Sequence, residues 1–186
     1  EVLKMEELLK DRRGNLTLTN INGLCRIALD KLKKTYEQDI QEKNIRIVFD
    51  NLTLSLMMEV NVEQFSKVLA GILKNSMYAL LKKSETVTFS PEIFLGLKVN
   101  KDMLEITIRD NGSGIDENIK YKIFAPFFTT KTTGEAAGVG LYLCREIVQN
   151  HRGTIEVESK KGEYTQFLIT IPVYQPKTIT PPKEEE

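Results

Sequence analysis

The stretch Asp110-Asn111-Gly112-Ser113-Gly114 sets the interpretation of this chain, because an acid and two glycines directly follow an apolar alternating segment, Leu104 to Arg109. The Asp110 carboxylate can accept a hydrogen bond from an exocyclic amine such as that of adenine. Gly112 has no Cβ, so its backbone can approach a flat ring closely. The same residues are also common in an ordinary turn after a strand. This stretch alone therefore leaves two alternatives open, a nucleotide site and a plain turn.

A second glycine stretch, Gly138-Val139-Gly140-Leu141, opens the last helical pattern of the chain. A helix start presents free N–H groups and the positive end of the helix dipole, and glycine there gives phosphates room to approach. An ordinary glycine loop before a helix is the alternative. The small residues 134–137 suit a mobile lid, and the phenylalanines of segment 123–131 fit hinge anchors as well as core packing. Lys131 fits a γ-phosphate contact and a solvated loop lysine equally well.

Asn75 is the third candidate, because it lies in the middle of an apolar helical run, where asparagine is a poor helix former. A buried amide must be hydrogen-bonded or it costs stability. Its side-chain oxygen is a hard ligand suited to Mg²⁺. An exposed polar residue, or one with a local hydrogen bond, explains Asn75 by itself at least as well.

Periodicity predicts grouped helices and strands rather than strict alternation. Helices are predicted over residues 20–43, 62–83 and 139–149, with at most a short helix over 116–124. Strands are predicted over 16–19, 45–50, 53–58, 86–89, 93–99, 104–109, 154–159 and 164–171, with tight turns at 100–102 and 160–163. The grouping favours a two-layer α/β sandwich, with a mixed five-stranded sheet and about three helices on one face. A doubly wound fold is disfavoured, because no G-x-G-x-x-G follows the first strand.

Composition limits the classes of protein that fit. The 186 residues carry 26 Lys and Arg against 26 Asp and Glu, which argues against a nucleic-acid surface. No apolar run reaches transmembrane length and no signal peptide opens the chain, so we expect a cytoplasmic piece of a longer protein, with any membrane anchor outside it. Cys25 and Cys144 are expected to be buried thiols. The predicted divisions are a helical linker end at 1–14, a domain at 15–173, and a disordered tail or linker at 174–186.

From about Asn20 to Pro172, the order of these motifs resembles the ATP-binding superfamily that includes histidine kinases, DNA gyrase, the heat-shock chaperone and mismatch-repair ATPases. That order is an asparagine helix, D-N-G-x-G, a phenylalanine box and a glycine lid. The phenylalanine box, 124–131, and the hairpin segment 162–167 are most similar to the catalytic domain of nitrogen-regulation-type sensor histidine kinases. The resemblance implies a sandwich of the Bergerat type that uses ATP and Mg²⁺.

The resemblance also implies roles for particular residues. Asn75 would bind Mg²⁺, Asp110 would bind the adenine amine, and Thr165 would help hold adenine directly or through water. The remaining implied ATP-binding positions line the base or contact the phosphates: Gly112, Gly114, Lys131, Gly138, Val139, Gly140 and Leu141.

Three departures qualify the likeness. Ala136 stands where the lid commonly has glycine, and Gly71 stands where gyrase-like hydrolases place the glutamate that activates water. The missing glutamate favours a kinase over a hydrolase. His151, the single histidine, occupies a position that is often histidine in the family and is not the phosphoacceptor. This chain is therefore expected to contain no catalytic residue of its own and no acceptor histidine.

The implied partners are a separate histidine-bearing dimerisation domain and the receiver domain of a response regulator, in a homodimeric whole protein, with no nucleic acid. Two alternatives to a kinase domain stay open. One is a nucleotide-dependent interaction module without phosphoryl transfer. The other is an α/β domain whose turns match by coincidence.

Overall fold

A mixed five-stranded sheet forms one layer of the fold. The structure, a computed structural model, describes residues 15–51, 55–126 and 139–174. The strands are β2 (Arg46–Asp50), β4 (Glu92–Asn100), β5 (Met103–Asp110), β6 (Thr154–Lys160) and β7 (Tyr164–Pro172). Their order in the sheet is β2-β4-β5-β7-β6, in which β2 is parallel to β4 and the remaining neighbours are antiparallel. The predicted fold class and the two predicted antiparallel pairs are confirmed.

The second layer is helical. Its helices are α1 (Ile21–Thr35), α2 (Glu37–Glu42), α3 (Val62–Ser84) and α4 (Val139–Asn150). Asn20 and Asn61 cap α1 and α3, because each side-chain oxygen accepts a hydrogen bond from the backbone N–H three residues later, at 3.1 Å. The long central helix α3 contacts α1, α4 and β5. It therefore ties both outer helices to the middle of the sheet.

Alternating burial defines which sheet face meets the helices. Along β5, the side chains of Leu104, Ile106 and Ile108 are buried, and their neighbours in sequence are more exposed. Along β7, the same alternation buries Phe167, Ile169 and Ile171, and the antiparallel register places these residues opposite the buried ones of β5. The shared core therefore lies between the β5–β7 pair and the helices, as the period-2 pattern predicts.

Several boundaries differ from the predicted ones. The helix predicted over 20–43 is interrupted at Tyr36, which is non-helical and lies between α1 and α2. No strand forms at 86–89, since the N–H groups of Thr86 and Val87 bond to the Lys83 carbonyl and the edges of β4 are already paired with β2 and β5. Only a 3₁₀ turn, Lys120–Lys122, forms within 116–124.

A short ribbon forms beside the main sheet. It pairs β1 (Thr17–Asn20) with β3 (Met57–Val60) in antiparallel register. The strand β3 was predicted at 53–58, of which residues 53 and 54 lie outside the described residues. The predicted leading helix, most of the phenylalanine box, the lid and the tail beyond Tyr174 also lie outside them, so the domain boundaries stay predictions.

Candidate nucleotide site

Two polar residues continue the buried face of the sheet to its end. Asp110, the last residue of β5, is 2% exposed, and Thr165, its register partner on β7, is 4% exposed. Both occupy positions at which the strand alternation places core side chains. Buried polar side chains of this kind need hydrogen-bonding partners. The end of the β5–β7 pair therefore offers two buried polar side chains to a ligand.

The loop after Asp110 is held tightly from two sides. Gly112 faces helix α3, where a Cβ on Gly112 would meet the Ala79 carbonyl carbon at 2.5 Å, and the Ser113 N–H donates to the Ala79 carbonyl at 3.1 Å. Gly114 has φ +65°, and a Cβ there would collide with the Lys160 carbonyl of the hairpin turn. Both glycines are thus required by packing of the loop, a reason additional to the base contact that the sequence suggested.

Asn111 fixes the other flank of the same loop. Its side-chain oxygen accepts from the Glu92 N–H and its amide nitrogen donates to the Ser90 carbonyl, both at 2.8 Å. Lys83 donates to the Asn111 carbonyl at 2.9 Å. Asn111 and Lys83 were missed in the sequence, where an asparagine before a glycine signals only a turn. The loop is therefore preorganised by the neighbouring strand and by α3.

Burial raises the pKa of Asp110 to about 7. Four neighbours act in the opposite direction and lower it: the Gly112 N–H, which donates to Oδ1 at 2.9 Å, the Ser76 hydroxyl, and the charges of Lys83 and Arg109. The carboxyl group is therefore poised between its two protonation states near neutral pH. In the ionised state it is a buried acceptor that suits an amine donor.

Thr165 belongs to a chain of hydroxyl groups. The Ser159 hydroxyl donates to the Tyr164 carbonyl at 2.7 Å and accepts from the Ile115 N–H at 2.8 Å. Ser159 has one hydroxyl proton, and the bond to the Tyr164 carbonyl uses it. In the 3.0 Å contact between the Ser159 and Thr165 hydroxyls, Thr165 is therefore the donor. The Thr165 oxygen keeps its acceptor lone pairs for a ligand or a water. Ser159 was not recognised in the sequence, because an isolated serine in a strand carries no signal.

Helices α3 and α4 run antiparallel and bring Asn75 to the start of α4. At one end, the Asn61 N–H donates to His151 Nε2 at 3.1 Å. Two to three turns further along α3, a Cβ on Gly71 would lie 3.3 Å from Cys144 Sγ. Asn75 is one turn beyond Gly71 on the same face, so it lies alongside the first turn of α4.

The first turn of α4 contains Gly140 and Leu141. No described residue lies within 4 Å of the position that a Cβ on Gly140 would occupy, and Leu141 packs partly against the core. Of the other predicted phosphate-binding residues, Lys131 and Gly138 lie outside the described residues, and only the backbone of Val139 is described. A helix N-terminus beside an amide side chain is suited to anionic oxygens.

Asn75 is half-buried. No group of three or more His, Cys, Asp or Glu side chains suited to a metal occurs among the described residues. A protein site with one amide oxygen fits Mg²⁺ only if phosphate oxygens and water complete the coordination, which is the usual way that this ion binds with nucleotides.

Gly71 and His151 have structural roles. The absence of a side chain on Gly71 lets Cys144 approach α3. His151 is 3% exposed, and its ring nitrogens contact the Asn61 N–H and the Ile147 carbonyl. The ring therefore has no free nitrogen that could accept a phosphoryl group.

A mixed-sheet sandwich with a buried acid at the end of a central strand, packed against a helix that carries Asn75, has the architecture of a nucleotide-binding α/β domain. Residues 61–175 match the model of the histidine kinase-, DNA gyrase B- and HSP90-like ATPase family, and the chain belongs to that family. It has the fold of a histidine kinase catalytic domain. That of histidine kinase ThkA superposes with a TM-score of 0.70 at 28% identity, covering 86% of this chain and 97% of the other.

The chain is also similar to segments of longer proteins, sensor histidine kinases among them. The sensor histidine kinase ZraS of Salmonella typhi is 28% identical over 172 residues, 92% of this chain and 34% of the relative. Cyanobacterial phytochrome A of Nostoc sp. is 34% identical over 149 residues, 78% of this chain and 18% of the relative. The chain thus spans about a third or less of these relatives. No helix within the described ranges is long and apolar enough to cross a membrane.

Proposed function

We propose that this chain binds Mg-ATP and presents the γ-phosphate to a histidine on a separate dimerisation domain of the same sensor kinase. The observation that carries the proposal is the packing of α3. Ala79 contacts the loop that follows Asp110, Gly71 packs against Cys144 of α4, and Asn75 lies between these two contacts along the helix. Family membership and the named relatives support it.

In this proposal each part of the site has one task. Asp110 accepts from the adenine amine, and the acceptor oxygen of Thr165 holds the base directly or through water. Gly112 and Gly114 line the base. The first turn of α4, with Gly138 and Lys131 upstream, contacts the phosphates, and Asn75 supplies one oxygen to Mg²⁺, which neutralises phosphate charge. Phosphoryl transfer then depends on positioning and on charge neutralisation, without a general base in this chain.

The wider setting is part of the same proposal. The whole protein would be a cytoplasmic or membrane-anchored homodimer whose phosphohistidine is passed to the receiver domain of a response regulator. The placement of Gly71 supports transfer rather than hydrolysis, because a larger side chain there would meet Cys144. The likeness to sensor kinases of the nitrogen-regulation type stays a prediction from the phenylalanine box.

Calorimetry with a non-hydrolysable ATP analogue and Mg²⁺ tests the binding step. Asp110→Asn and Asn75→Ala are expected to abolish or strongly weaken binding while circular dichroism stays unchanged. Asp102→Asn, in the exposed turn at the opposite end of β5, and Asn118→Ala, on the exposed surface, are matched controls that should bind like the parent. A parent chain that binds no nucleotide, or a pair of site variants that bind normally, contradicts the assignment.

Transfer is tested by adding the histidine-bearing domain of the whole protein as a separate polypeptide, with Mg-ATP. Acid-labile phosphate on that polypeptide, lost with Asp110→Asn, is the expected result. Normal nucleotide binding with no labelled histidine would instead identify a nucleotide-dependent interaction module.

A further inference from the structure

One hydroxyl beside the site has no role in the function proposed above. Ser76 follows Asn75 on α3 and is 1% exposed. Its Oγ is in regular hydrogen-bond geometry with no described group, although it lies near enough to the Asp110 carboxylate to lower the pKa of that group. Buried hydroxyls are nearly always paired, so this one is expected to find a partner in a functional state of the protein.

The packing of α3 directs Ser76 toward the strand end. Ala79, three residues later and so on the same side of α3, contacts the Asp110–Gly114 loop through Gly112 and Ser113. The Ser76 hydroxyl is close enough to the Asp110 carboxylate to stabilise its charge. Asp110 Oδ1 already accepts from the Gly112 N–H, but a carboxylate offers further lone pairs.

We propose that Ser76 is a positioning residue of the purine site, whose hydroxyl donates to the Asp110 carboxylate and keeps it in the ionised, acceptor form that the base amine requires. The inference rests on the proposed nucleotide function and adds to it a residue that touches Asp110. Two adjacent residues of α3 would then serve different parts of the nucleotide. Asn75 would bind the metal ion, and Ser76 would position the carboxylate that binds the base.

The contact between Ser76 and Asp110 is expected to affect nucleotide binding, because Asp110 is buried and few groups stabilise its charge. Burial raises the pKa of Asp110 to about 7, and the groups that oppose the rise are the Gly112 N–H, Ser76, Lys83 on α3 and Arg109 on β5. Removing the hydroxyl leaves the other three in place and raises the pKa further. Because the neutral carboxyl group is the weaker acceptor, the loss of affinity should depend on pH.

Ser76→Ala is the direct test, since alanine is the best helix former and keeps the α3 backbone intact. The ratio of variant to parent Kd for the ATP analogue is expected to be near one at pH 9. It should rise toward a plateau at pH 6, about tenfold for each unit by which the Asp110 pKa increases. A purely structural role would weaken binding by the same factor at every pH.

Two further variants sharpen the result. Ser66→Ala, at a half-buried serine of the same helix, is the matched control and should leave the pH profile unchanged. Ser76→Thr retains the hydroxyl and should restore at least part of the low-pH affinity.

The titration of Asp110 can also be followed without nucleotide, by ¹³C NMR of its carboxyl group in the parent and in Ser76→Ala. A higher pKa in the variant supports the proposal, and an unchanged pKa overturns it whatever the affinities. If Asp110→Asn abolishes binding while Ser76→Ala shifts neither the pKa nor the pH profile, the nucleotide function stands and the role of Ser76 is refuted. If the parent binds no nucleotide, the proposed function is refuted, and the role of Ser76 is refuted with it.

Discussion

Replacing His151 with alanine is expected to weaken the packing of α4 against α3. The buried Asn61 N–H loses its acceptor, which costs about 1–3 kcal/mol when no partner replaces it. The Ile147 carbonyl still accepts a hydrogen bond from the backbone N–H of residue 151, at 3.2 Å. Its loss of the ring contact therefore adds little to the cost in unfolding free energy. The ring also packs edge-on against Phe65 with centroids 5.6 Å apart, and the cavity left there adds about 2 kcal/mol.

The total loss of unfolding free energy is therefore expected to be about 3–5 kcal/mol, measured by urea denaturation as a lower midpoint with an unchanged m-value. His151→Gln should recover part of the loss, because its terminal oxygen can accept from the Asn61 N–H. Arg152→Ala, at the exposed neighbouring position, should stay within about 0.5 kcal/mol of the parent. A loss below 1 kcal/mol for alanine, or a glutamine variant no better than alanine, would refute the reasoning.

The pH dependence gives an independent check. Burial lowers the pKa of His151 from its ordinary value of 6.5, so the ring is neutral in the folded state. The unfolded chain then binds more protons, and the stabilisation present above pH 6.5 is lost as the pH falls through the folded-state pKa. Glutamine does not titrate, so His151→Gln lacks this loss of stability in acid. The difference in unfolding free energy between the parent and His151→Gln should therefore become smaller below pH 6.

Further predictions concern the site and its surroundings. Gly112→Ala should destabilise by about 1–3 kcal/mol, because its Cβ meets the Ala79 backbone, and a lower urea midpoint would show it. Gly140→Ala, whose Cβ would meet no described residue, should leave stability equal or higher by up to about 1 kcal/mol, yet weaken ATP binding in calorimetry. Burial raises the pKa values of Cys25 and Cys144 to about 12, so a thiol reagent at pH 8 should label them only after unfolding. Asp110→Asn should raise the urea midpoint at pH 8 and much less at pH 4.

The sequence predicted best those parts of the fold whose signal is local. The β5 strand with its glycine turn, the β6–β7 hairpin and helices α3 and α4 were all recognised from period and turn residues, within one or two residues at most ends. The break at Tyr36 was missed because the apolar period continues through it into Ile40, which packs on the same core. Strands were predicted at or near β1 and β3, but their pairing was missed because pairing between distant segments leaves no trace in either one.

The residues of the candidate site also fall into those that a local sequence signal identified and those that it did not. Asp110, Asn75 and Gly140 could be identified because their residue types are unusual in their local setting. Ser76 and Ser159 could not, since a serine in a helix or strand is unremarkable until packing places it beside Asp110 or Thr165. Tertiary contacts, rather than local pattern, determine which polar residues form the lining of the site.

The position of Asp110 in the core alternation explains why binding and stability oppose each other here. Leu104, Ile106 and Ile108 precede it on the same buried face, and an apolar residue at 110 would continue their packing. Raising a carboxyl pKa from 3.8 to about 7 corresponds to roughly 4 kcal/mol of destabilisation above pH 7, absent below pH 4 because the unfolded carboxyl is then protonated too. A fold selected for stability alone would not place an acid at this position. Its presence there, opposite Thr165 and beside the Ser76 hydroxyl, is explained if a ligand amine compensates the buried charge when it binds.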